Sequence, residues 1–193
     1  MSFLKILYTG EYHIIKNFYK ISQITTLLLL IGIFVACEEP KGISSYQSNH
    51  WEDHYVDPEI SGQKGDSLQK GKTYLSIYSH IYSFSLEKSQ SLTAMVSLRN
   101  VSDTDTIYIS KADYYDTEGL LIRHYFKKPI YLKPLETVEI VIDEIDNHGG
   151  SGANFIFEWT TKYTTPEPLF EAIMTSLRGS QGLSFTTIGR RID

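Results

Sequence analysis

The chain has 193 residues, one cysteine, a formal charge of −5 and 41% hydrophobic residues. That combination fits one principal globular domain and argues against a disulfide-stapled scaffold, a low-complexity chain or a basic nucleic-acid-binding surface. Fourteen tyrosines favour pleated sheet over helix.

Residues 1–36 read as a lipoprotein signal peptide. Lys5, Lys16 and Lys20 stand against the single acid Glu11, and Ile24 to Ala36 is apolar apart from Thr25 and Thr26. A positive start, a short apolar core and a small residue before a cleavage point are the features of a secretory signal. The apolar run is shorter than the roughly twenty residues a spanning helix needs. Phe34-Val35-Ala36-Cys37 resembles a bacterial lipobox, in which the peptidase cuts before a cysteine that carries lipid. Phe34 stands where leucine is usual, and the positive segment is long. Cys37 is the only thiol, so lipidation there predicts a domain without disulfides. Removal of residues 1–36 leaves 15 basic against 22 acidic residues, a formal charge of −7. Membrane attachment is then expected from the lipid at Cys37 and not from a basic face.

Residues 37–72 are polar and turn-rich, with Pro40, Gly42, Pro58, Gly62, Gly65 and Gly71, and read as a flexible linker. Within it, His50 and His54 flank Trp51, Glu52 and Asp53, a spacing that places two imidazoles on one side of a helix. One such pair in a linker is a weak metal signal, and a solvated segment is the expectation.

Residues 73–193 read as the folded domain. TYLSIYSHIY, from Thr73, alternates Tyr74, Tyr78, His80 and Tyr82 against Leu75, Ile77 and Ile81, which predicts one strand with a tyrosine-rich face. SLTAMVSLR alternates again, Asn100 to Thr104 is a turn, and Asp105 to Asp113 returns as a strand. YYDTEG (Tyr114–Gly119) signals a tight hairpin before LLIRHYF. Pro129 to Pro134 predicts an irregular crossing, and TVEIVI, from Thr137, a strand. NFIFEW, EAIMTSL and LSFTTIG complete the pattern as strands. About seven to eight short strands without a long helical pattern predict an all-β, antiparallel, immunoglobulin-like β-sandwich.

The stretch Asp146 to Trp159, DNHGGSGANFIFEW, is the candidate site. Gly149, Gly150, Ser151 and Gly152 lead from a polar turn into an apolar strand, and glycine permits positive φ and close backbone approach. A nest of backbone N–H groups there, with Asp146, His148, Ser151 and Asn154 nearby, is a candidate anion or small-ligand site. A turn or bulge that aims a core strand is the reading the pattern favours. No GK[ST] follows the glycines and no GxGxxG opens a helix, so neither nucleotide fingerprint applies. Asp146, His148 and Ser151 are the residue types of a hydrolytic triad, but triads draw their members from distant segments.

The series YSHIY (Tyr78–Tyr82), LRN (Leu98–Asn100), YYDTEG, PIYLKPL (Pro129–Leu135), GGSGANF (Gly149–Phe155), EW (Glu158, Trp159), EAIM (Glu171–Met174) and QGLSF (Gln181–Phe185) resembles a family of bacterial lipoproteins. That family is catalogued only as a domain of unknown function, number three-one-two-four. The resemblance spans Thr73 to Ile192 and implies an exported domain with no established activity, cofactor or catalytic residue.

Two functional classes follow. One is a membrane-tethered binding or structural module, attached to the lipid bilayer through Cys37 and meeting an envelope protein, glycan or small ligand through loops, a sheet edge or its tyrosines. The other is an envelope hydrolase or metal-dependent enzyme built on Asp146, His148, Ser151, Glu158 and His80 or His124, which requires those groups to converge in one pocket. With no recognised nucleophile, metal set or cofactor fingerprint, and no nucleic acid expected as a partner, the first class is favoured.

Overall fold

The computed structural model describes residues 20, 22–23, 51–57, 68–83 and 85–193. Most of the expected signal peptide, the lipidation position Cys37, His50 and most of the expected linker lie outside the described residues.

Among the described residues twelve strands form: β1 (Leu68–Ile77), β2 (His80–Ser83), β3 (Ser85–Ser91), β4 (Thr93–Arg99), β5 (Ile107–Tyr115), β6 (Leu121–His124), β7 (Ile130–Leu132), β8 (Thr137–Ile142), β9 (Ala153–Lys162), β10 (Leu169–Arg178), β11 (Gln181–Ile188) and β12 (Arg190–Arg191). One sheet has the order β12-β1-β9-β5-β6, with β7 also paired to β5, and a second has the order β11-β10-β4-β8. A separate two-stranded hairpin joins β2 to β3. All pairings are antiparallel, so the expected class stands. EAIMTSL, short enough to pass for a helix, is the middle of β10.

The two larger sheets meet through the inward residues of each alternating strand. Leu75 and Ile77, Ile107 and Ile109, and Phe155, Phe157 and Trp159 come from the six-stranded sheet. Ala94, Val96, Leu98, Ile140, Phe170 and Met174 come from the other. A column of rings crosses the gap, with Tyr114 stacked on Phe155 at 4.9 Å, Phe155 on Phe157 at 5.3 Å and Phe157 on Phe170 at 4.3 Å. Each such pair contributes roughly 0.5–1.5 kcal/mol beyond its buried area. Trp159 closes the opposite end, lying over Gly71 while its indole N–H donates to Thr73 Oγ1 at 3.0 Å.

Three sequence expectations are corrected here. The single strand expected over TYLSIYSHIY breaks at Ser79, a buried residue whose N–H donates to Gly150 O at 3.0 Å. The tyrosine-rich face is consequently divided. Tyr74 lies on β1, Tyr78 turns in against the Phe185 ring at 5.7 Å, and Tyr82 belongs to the separate hairpin. Breaks of this kind raise the strand number above the expected seven or eight.

The sheet also begins at Leu68, upstream of Thr73, because all ten residues of β1 pair with β9. Gly71 is therefore a strand residue and not part of a linker.

Part of the expected solvated segment is packed against the domain. Trp51 is buried edge-on to Tyr125 and Phe126, at 5.9 and 5.7 Å. Tyr55 bridges to Ile130, and Val56 N–H donates to Pro129 O at 3.0 Å, which covers the outer side of β7. His54 Nε2 lies 2.9 Å from Glu136 Oε1. Burial works to raise the Glu136 pKa, but the His54 hydrogen bond and the Lys133 N–H outweigh it and hold the carboxyl below its ordinary value. His54 thus serves as a tertiary clamp within a 3-10 turn, Trp51–His54.

Candidate functional site

The loop between β8 and β9, the tip of the β5–β6 hairpin and the corner between β1 and β2 meet at one end of the sandwich. The glycine stretch occupies the centre of that meeting. Asp146 caps a short 3-10 turn, Asn147–Gly149, by accepting the His148 N–H on Oδ1 at 3.4 Å. Its carboxylate is fully buried. Oδ1 also lies 2.7 Å from His148 Nδ1, and Oδ2 accepts from Arg123 Nη2 at 3.1 Å.

Arg123 in turn donates from Nη1 to Tyr125 Oη at 2.7 Å and lies over that ring. Burial works to lower the Arg123 pKa, but Tyr125 and Asp146 together raise it on balance. The guanidinium is therefore charged, and its contact with Asp146 is largely desolvated.

The turn itself is held by internal hydrogen bonds, with Gly149 buried and Gly152 exposed. Gly150 adopts φ 72 and ψ −158, a conformation open essentially to glycine alone. Its N–H donates to Asn147 O at 3.2 Å, and its carbonyl accepts from Ser79. Thr117, from the YYDTEG hairpin, donates from Oγ1 to Gly149 O at 3.1 Å and accepts from Gly152 N–H at 3.0 Å. Two amides proposed for an anion nest are thus satisfied within the chain. Gly149 is needed for space, since a Cβ there would stand 1.9 Å from Tyr114 Oη and 2.7 Å from Ser79 Oγ. Those two hydroxyls share a buried hydrogen bond of 2.9 Å. Burial pushes the Tyr114 pKa far up, against the opposing effect of Ser79, so the phenol stays neutral.

Of the residues singled out from sequence, Asp146, His148, Gly149, Gly150, Ser151 and Gly152 share this end, and Asn154 starts the outward row of β9. His148 Nδ1 sits on the buried carboxylate with its ring more than half exposed. Among the described residues no hydrogen bond joins Ser151 to His148, so the three do not form a relay.

Glu158 and His124 are not brought to this site. Arg123 and His124 are consecutive in β6 and point to opposite faces of the sheet. His124 Nδ1 instead lies 2.7 Å from Asp113 Oδ1, and Lys111 Nζ bridges Asp113 Oδ2 and Glu158 Oε1 at 3.1 and 3.6 Å. His80 stands on the β2–β3 hairpin beside Tyr82. Among the described residues, no three His, Cys, Asp or Glu gather into a metal-holding group. Of Arg123, Thr117 and Ser79, which hold the loop, Thr117 and Ser79 fall within the YYDTEG and YSHIY motifs, and Arg123 gave no sequence signal.

Gly150→Val is expected to destabilise the domain by on the order of 2–3 kcal/mol, combining a strained backbone with a Cβ that would lie 2.4 Å from Thr117 Oγ1. Urea denaturation reads the loss, and an unchanged midpoint would reject the strain argument.

The fold and the closed loop define an all-β, antiparallel sandwich whose glycine-rich corner is locked by internal hydrogen bonds. A family model described as "Protein of unknown function (DUF3124)" matches residues 70–192, and the chain belongs to that family. No curated protein matches the chain. It is also similar to a solved structure titled "Crystal Structure of Thermotoga maritima 1070", at 12% identity and a TM-score of 0.41, over 66% of this chain and 96% of that one.

Proposed function

We propose that the chain is a membrane-anchored, exported lipoprotein whose sandwich acts as a binding or structural module in a bacterial cell envelope. The observation that supports a module over an enzyme is the use made of the glycine corner. Asp146 faces Arg123, while Thr117 takes up the Gly152 N–H and the Gly149 carbonyl. A carboxylate neutralised by a buried guanidinium is suited to fixing geometry and poorly suited to accepting a proton. Anchoring rests on the lipobox-like residues before Cys37 and on the acidic charge of the remaining chain, which gives a bilayer no basic face to hold. An envelope protein, glycan or small ligand is the partner class.

The test is growth with an alkyne-tagged fatty acid, followed by membrane fractionation. The wild-type chain is expected to take up label and sediment with membranes, and Cys37→Ser to lose both properties. Label retained by Cys37→Ser, or a wild-type chain found only in the soluble fraction, would reject the anchor.

A further inference from the structure

The edges of the two large sheets are not alike. β12 has two residues, both arginine, and β6 carries Arg123 and His124. β7 has three residues and is covered by the Tyr55–Val56 segment. β8 carries Glu139. β11 has eight residues, QGLSFTTI, with no charge and no proline, so it lacks the devices that ordinarily keep a strand edge from pairing.

Its backbone polarity can be read from the register. Gly189 N–H donates to Phe170 O at 2.7 Å, and β10 and β11 pair from Glu171↔Ile188 to Arg178↔Gln181. Hydrogen-bonded and non-bonded pairs alternate in an antiparallel ladder. Thr187, Phe185 and Leu183 therefore bond to β10, whereas Gly182, Ser184, Thr186 and Ile188 direct N–H and C=O away from it. Those four residues are exposed.

We propose that β11 is a self-association edge, on which β11 of a second copy of this chain pairs antiparallel about a two-fold axis at Phe185. In that register Ser184 faces Thr186 of the second copy and Gly182 faces its Ile188. The two Ser184–Thr186 pairs at the axis supply about four new backbone hydrogen bonds, while Ile188 lies beside β1, where Thr187 Oγ1 donates to Ser76 O at 2.7 Å.

Three observations favour a second copy as the occupant. A two-fold axis sets each residue against a residue of the same short segment, and a segment without charge meets no like charge there. The chain as a whole is acidic at −5, so two copies approach with least repulsion along a neutral seam. The side chains also fit. Leu177, 79% exposed, leans over Gly182, where a Cβ would lie 3.3 Å from its Cδ2. Ile188, 67% exposed, would be set by the two-fold axis against that glycine gap and beside Leu177 of the other copy.

Sedimentation of the full chain in non-ionic detergent tests the pairing, with two variants that leave the β10–β11 bonds intact. Thr186→Pro removes an outward N–H, a position where an edge strand tolerates proline. Ser184→Lys/Thr186→Lys gathers four ammonium groups at the axis from exposed positions. The wild type is expected to double in mass with rising concentration, and both variants to remain single chains with the wild-type melting profile. If Thr186→Pro fails to fold, the double lysine variant decides. A wild type that stays a single chain throughout would overturn the proposal and leave the edge to a strand from another protein. A dimer that persists in the double lysine variant would also overturn it, because the interface would lie elsewhere.

Discussion

Asp146→Ala is expected to lower the unfolding free energy by about 3–5 kcal/mol, the usual cost of removing one partner from a buried ion pair. The carboxylate is fully buried and the Arg123 side chain is 13% exposed, so water cannot readily replace the lost charge. The same substitution removes the cap of the Asn147–Gly149 turn and the acceptor beside His148 Nδ1. Urea denaturation gives the magnitude. Arg123→Met/Asp146→Leu should recover most of it, since a buried pair replaced as a unit by apolar side chains is often nearly neutral. A single-variant loss under about 1 kcal/mol would mean that the loop opens to water, and the closed corner described above would be wrong.

Gly71→Ala is the second large effect, at about 3 kcal/mol, the upper end of ordinary overpacking costs. A Cβ at residue 71 would lie 2.1, 2.5 and 2.6 Å from Cζ2, Cε2 and Cη2 of Trp159. That indole is 2% exposed and held by Thr73, so it cannot swing into solvent without giving up both its burial and its hydrogen bond. Thermal unfolding followed by near-ultraviolet circular dichroism reads the stability together with the environment of the ring. An unshifted transition would show that the indole moves aside at little cost.

The all-β class was legible because alternation is local. Phe155, Phe157 and Trp159 alternate with Asn154, Ile156 and Glu158 in the sequence and fall on opposite faces in β9. The family was legible for the same reason, since its motifs are short words in a fixed order.

What the sequence concealed depends on partners far along the chain. Gly71 has the look of a linker glycine until Trp159 is placed above it. Ser79 reads as one more residue of an alternating strand, yet its N–H goes to Gly150 and its hydroxyl to Tyr114. Trp51 appears among polar neighbours, and only Tyr125 and Phe126 explain its burial. The glycines marked the corner in the sequence, and a turn that aims a core strand was the reading their pattern favoured, but they did not show what holds that turn. The two side chains that close it, Thr117 and Arg123, lie on a hairpin whose position over the turn is a tertiary fact.

The placement of β1 bears on the order of events during folding. Its neighbours in the sheet are β9 on one side and β12 on the other, and both are synthesised much later. The first long strand of the domain therefore has no sheet neighbour until residues 153–162 are available, and lacks its second one until 190–191. Folding is consequently dominated by distant contacts and is expected to be slow for a domain of this size. Under the proposed export, a chain threaded through a membrane from its amino end would hold Leu75 and Ile77 in water throughout that interval, and transit would be its period of greatest exposure to aggregation.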